Sequence, residues 1–191
     1  MRNCHSTSVN VHISFLLIFT AGLLLLPLPL IISWIFASLI HEYFHCVSLM
    51  ICKIPINEIT IIYSGANIRT PPMGRKKELI CTLSGPVGGL IPVVFFDRFP
   101  ITAIFSCILT CSNLVPLHGR DGGRVLRCLT TKTFGNEIGS KICIFTDRFV
   151  RLLFVFIIAG VCIYLNLVYL LVLFVFILVV KEKFLAKNRD K

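Results

Sequence analysis

Phe36-Ala37-Ser38-Leu39-Ile40-His41-Glu42-Tyr43-Phe44-His45-Cys46-Val47-Ser48, or FASLIHEYFHCVS, sets two histidines and a carboxylate in an apolar run with no opposite charge beside them. Inside a bilayer such groups are costly, about 2.5–3.5 kcal/mol for a central Asp on insertion scales, and are kept mainly for function. The surrounding composition says which solvent the stretch meets. The chain has 191 residues, is 56% hydrophobic and 15% charged, and has a mean hydropathy of +0.88. A soluble domain of this length fills its core with far less apolar material. The sequence therefore predicts an integral membrane protein, one domain over residues 1–191.

A transmembrane helix needs about 20 apolar residues, with about 17 as the lower limit. Counting runs from the quoted stretch in both directions predicts an all-α polytopic membrane protein with about six spans, at 11–26, 30–51, 79–96, 101–117, 149–165 and 167–180. Pro27 and Pro29 separate the first two, and Asn166 divides the last apolar run. Residues 54–77 break the helical pattern. Ile59-Thr60-Ile61-Ile62-Tyr63 reads as a strand and Ser64-Gly65-Ala66-Asn67 as a turn, predicting a short membrane-associated β-hairpin between spans two and three. A cleaved signal peptide is not expected, because Arg2 alone would supply the charged region and no small-x-small site follows.

The net charge of +10 raises nucleic acid as a partner, and its placement argues against one. With six spans, every basic residue except Arg98 falls in or beside segments on one side, which the positive-inside rule assigns to the cytoplasm. The charge then encodes topology, with both termini cytoplasmic, and no nucleic acid is expected. The nine cysteines are odd in number, include no C-x-x-C pair and lie mostly in apolar runs. They read as small buried hydrophobes rather than as a disulfide or metal framework.

His41-Glu42-Tyr43-Phe44-His45 is an H-E-x-x-H motif. On a helix, positions i and i+4 share a face, so both imidazoles can reach one ion, while Glu42 projects about 100° round the helix, beside the ion without necessarily ligating it. This is the arrangement of zinc metalloproteases, in which the glutamate takes a proton from a water activated by the ion. A zinc site also needs a third protein ligand. Among the acidic residues Asp121 stands out, following Asn113-Leu114-Val115-Pro116-Leu117-His118-Gly119-Arg120 and preceding Gly122-Gly123. Its prolines and glycines should unwind the helix end and turn a carboxylate back to the core. His118 is the rival ligand, and a simple Asp-Gly turn is the reading without a metal.

Together, H-E-x-x-H and N-x-x-P-x-x-x-x-D-G-G, with Ser84-Gly85-Pro86 between them, resemble the site-2 protease family of intramembrane zinc metalloproteases. The resemblance implies Zn2+ held by His41, His45 and Asp121, Glu42 as the base, and substrate contacts at Asn113, Gly65 and Pro116. It implies that the strand near Gly65 holds substrate by edge pairing. The nearest likeness is to the sporulation stage IV FB branch, which also has a histidine early in its first span (compare Val11-His12) and a short loop between motifs. Three departures stand out. The CBS domain of that branch is expected to be missing, Gly119 and Gly89 replace a usual proline and polar residue, and bulky residues follow His45.

The expected function is therefore cleavage of a membrane-tethered protein near the cytoplasmic face in regulated intramembrane proteolysis. By resemblance the substrate is a pro-sigma or anti-sigma factor, with membrane-protein inhibitors or regulators as further partners. A metal-binding membrane transporter is the alternative from another class. It would need polar groups across the bilayer, and the outer half offers little beyond Ser33 and Trp34. An inactive protease-like scaffold is the third, against which stand the intact His41, Glu42, His45 and Asp121.

Overall fold

The first apolar run does not begin as a helix. In a computed structural model, which describes residues 8–62 and 65–165, Ser8–Val11 forms strand β1 and His12 caps helix α1, Ile13–Leu25. The His12 Nδ1 accepts the Ser14 N–H, which satisfies one of the amide groups a helix start leaves unpaired. Helix α2, Leu28–Ile51, starts at a proline and carries the H-E-x-x-H motif. Strands β2, Glu58–Ile62, and β3, Gly65–Arg69, follow. Then come α3 at Arg75–Gly89, the short α4 at Ile91–Val94, α5 at Pro100–Leu114, and a helical run α6 at Asp121–Tyr164.

The strands form one sheet in the order β1-β2-β3. The β2–β3 pair is antiparallel, with Ile59 opposite Ile68 and Ile61 opposite Ala66. The expected β-branched run thus forms a hairpin strand, although Tyr63 and Ser64 lie outside the described residues. The sheet also holds an unforeseen strand. β1 pairs parallel to β2, Val9 with Ile59 and Val11 with Ile61.

Two described helices are long and apolar enough to cross a membrane, Leu28–Ile51 and the stretch Arg75–Val94. Six were expected. Helices α1 and α5 are apolar but only 13 and 15 residues long. At 1.5 Å per residue they reach about 20 Å, short of a hydrocarbon core of about 30 Å. Prolines and a turn also mark two of the runs: 79–96 is interrupted at Leu90, although the stretch Arg75–Val94 keeps its length across that turn, and 101–117 stops before Pro116, which restricts Val115 to an extended conformation. The fifth span, 149–165, forms part of α6, which begins far earlier, at Asp121, and breaks at Gly135 (φ 80°). The expected sixth span 167–180 and its break at Asn166 lie outside the described residues.

Contacts within the chain divide it into Met1–Ile144 and Phe145–Lys191. In the first unit α2 is central, packed against α3 and α5. Its interior is unusual for a soluble protein. Fully buried apolar side chains are few and mostly small (Ala37, Cys81, Ala103), and they are joined by Ser48, Thr82, Thr102, Ser106 and Thr110. Meanwhile leucines, isoleucines and phenylalanines line the outside, with Leu24, Leu25 and Val94 each 81% exposed. Small and hydroxyl side chains between helices, with aliphatic ones outside, are what packing in lipid favours. In the second unit, Asp147 pairs with Arg151 at 2.6 Å, one turn apart.

Candidate metal centre

Helical spacing brings His41 and His45 together on one face of α2, their ring centroids 5.0 Å apart. Asp121 arrives from the chain reversal after α5. Pro116 ends that helix, Gly119 adopts φ +86°, a backbone closed to proline, and Asp121 opens the first turn of α6. Its Oδ2 then lies 3.1 Å from His41 Nε2 and 3.2 Å from His45 Nε2. Among the described residues this is the His/Cys/Asp/Glu cluster whose ligand atoms converge, all within 4.8 Å of one another. Tetrahedral zinc with N and O ligands at about 2.0–2.2 Å places its donors roughly 3.3–3.6 Å apart. The two His–Asp separations fall just short of that spacing, and two imidazoles with a buried carboxylate are a donor set that such an ion takes.

Backbone groups hold the donors. Cys81 O on α3 lies 2.8 Å from His45 Nδ1, which fixes that ring with Nε2 toward Asp121. The approach of α3 depends on Gly85, where a Cβ would sit 2.1 Å from His45 Nε2. Ser84 Oγ donates to Ser48 Oγ at 2.8 Å and ties the same helices one layer away. Asn113 Nδ2 lies 3.2 Å from His41 Nε2, and its Oδ1 accepts from Arg120 at 2.9 Å, so the amide has one orientation. Glu42 stands beside the trio. Its Oε1 accepts the Ala66 N–H at 3.0 Å, so the hairpin positions this carboxylate. The centre opens into a cleft of about 570 Å3, which β3 from Gly65 to Arg69 lines on one side.

No protein-family model matches the sequence, and no curated protein does either. Among solved structures the chain resembles the site-2 protease from Methanocaldococcus jannaschii, with a TM-score of 0.60 over 90% of this chain and 89% of that one. The chain shares the fold of a site-2 protease. At 22% sequence identity the likeness is one of fold. The chemistry must be argued from the residues themselves.

The remaining sequence candidates divide. Gly65 adjoins the general-base candidate, since a Cβ there would lie 2.8 Å from Glu42 Oε1. Asn113 touches the ligand set. Pro116 is not in the cleft wall, and its place is in the reversal that delivers Asp121. His118 lines the cleft but is not among the converging donors. Three groups at the centre went unforeseen: the Cys81 carbonyl, the Ala66 amide and the Arg120 guanidinium. The first two are backbone atoms, which leave no mark in residue identity. Arg120 read as one more topological charge.

Proposed function

We propose that the chain is a multi-pass intramembrane zinc metalloprotease that cleaves a membrane-tethered protein near the cytoplasmic face, with both termini in the cytoplasm. The convergence of His41, His45 and Asp121 beside Glu42, in a cleft walled by a strand, carries this reading. His41, His45 and Asp121 would hold the zinc, which when bound would supply a Lewis acid for the scissile carbonyl and lower the pKa of a water to about 7. Glu42 takes the proton of the attacking water and passes it to the amide nitrogen as the C–N bond breaks. Asn113, oriented by Arg120, contacts the substrate carbonyl. The edge of β3 not paired with β2 holds the substrate extended, main chain to main chain. Extension matters because a helical substrate keeps its carbonyls in internal hydrogen bonds.

The proposed substrate class rests on the cytoplasmic side that the basic residues assign to the motifs and on the resemblance to the sporulation stage IV FB branch. A product freed on the cytoplasmic side suits a pro-sigma or anti-sigma factor, with membrane-protein inhibitors as regulators. The test combines metal analysis with proteolysis. Purified chain should contain near one zinc, and vesicles holding a tethered sigma-factor substrate should show cleavage that a chelator stops and zinc restores. Cleavage indifferent to chelation would refute the metalloprotease reading.

Gly65→Ala separates positioning of the base from metal binding. The new Cβ would press on Glu42 Oε1 at 2.8 Å from a backbone with φ +127°. Strain of this kind costs about 1–3 kcal/mol. Zinc content should remain that of the wild type while cleavage falls about tenfold or more, measured on the same preparation.

A further inference from the structure

The fold provides for one histidine of the trio and leaves the other open. His45 Nδ1 meets the Cys81 carbonyl at 2.8 Å. His41 Nδ1 is buried with no partner, and so is a second polar atom, Thr110 Oγ1 on α5. Both residues are deeply enclosed, at 3% and 2% exposure. The two atoms close on the same point over Gly89 of α3, where a Cβ would lie 2.4 Å from Thr110 Oγ1 and 3.2 Å from His41 Nδ1. One turn before Thr110, Ser106 Oγ donates to Gly89 O at 2.5 Å, which fixes α5 against this point.

Two further contacts determine where the His41 proton sits. Asn113 turns its NH2 toward His41 Nε2, because Arg120 occupies its Oδ1. An NH2 group only donates, and a cation held by Nε2 and Asp121 Oδ2 likewise requires a lone pair on Nε2. The ring proton therefore belongs on Nδ1, on the side of Gly89 and Thr110. We propose that Thr110 is the positioning residue of His41: its hydroxyl accepts the Nδ1–H, directly or through one water, and holds the ring in the tautomer that binds the metal. Glycine at position 89 keeps the space for this contact. The inference rests on the metal reading above, and metal-binding histidines regularly use their second nitrogen in this way.

Zinc affinity of the full-length chain in lipid nanodiscs, measured by competition with a chelating dye, tests it. Thr110→Val keeps the shape and removes the acceptor, so its affinity should fall about 10–100-fold. Thr110→Ser should bind as the wild type does. The melting temperature of the zinc-free protein should be the same for all three, which a purely structural role for the hydroxyl would not give. If Thr110→Val does not fold, Thr110→Ala, which needs less room, takes its place against Thr110→Ser. Wild-type affinity in the Val or Ala variant, alongside loss of zinc in His41→Ala, would overturn the role of Thr110 and leave the metal centre standing. Undiminished zinc in His41→Ala would overturn both.

Discussion

Glu42→Gln should bind zinc as the wild type does and cleave a tethered substrate about 10²–10⁴-fold more slowly, the range spanned by general acid–base catalysis. The separation of the two effects comes from geometry. Glu42 is outside the cluster of His41, His45 and Asp121, so its charge is not a ligand. Glutamine keeps the size of the side chain and an oxygen for the Ala66 N–H, now held at 3.0 Å, so the hairpin should seat it as before. What glutamine lacks is a basic lone pair able to take a proton from water and return it to nitrogen. Co-expression with a membrane-tethered substrate gives cleavage, and metal analysis of the same protein gives zinc content. Full cleavage by the variant would sink the mechanism. Loss of zinc with loss of cleavage would instead make Glu42 part of the metal-binding structure.

Local pattern made half of this centre legible. H-E-x-x-H can be read because helical periodicity alone puts positions 41 and 45 on one face, and Ile59 to Ile62 can be read because β-branched residues favour a strand. Long-range pairing hid the rest. Ser8–Val11 becomes a strand only because β2 offers an edge about fifty positions later, and Val11 in isolation is simply apolar. The carboxylate was legible as one of two candidates. Choosing Asp121 over His118 needs the reversal at Pro116 and Gly119, whose direction no local rule sets. Hydropathy counted six spans without showing where a turn shortens a helix, and among the described residues two helices are long and apolar enough to cross a membrane. Glycine at 85 and 89 was similarly opaque, since what excludes a side chain there belongs to other helices: His45 at one position, Thr110 and His41 at the other.

Asp121→Ala should lower zinc affinity by more than the 10–100-fold that loss of an outer partner costs, and zinc content should fall well below one per chain. The variant removes the anionic donor of the trio and leaves two imidazoles, one fewer than the three protein ligands a catalytic zinc site uses. It also removes the oxygen that now lies within 3.2 Å of both histidines, so each ring loses one of the contacts that aim it at the centre, while Cys81 O still holds His45. A smaller penalty falls on the fold. Asp121 lies in the first turn of α6, where a carboxylate is stabilising by about 0.3–1 kcal/mol. Asp121→Asn isolates the charge, since it retains an oxygen at the same place while removing the negative charge that a divalent cation attracts, so its zinc affinity should fall between those of wild type and Asp121→Ala. His118→Ala, at the cleft wall, should leave zinc unchanged. The reverse pattern, with zinc retained in Asp121→Ala and lost in His118→Ala, would transfer the third ligand to His118 and require the 115–120 reversal to turn inward when metal binds.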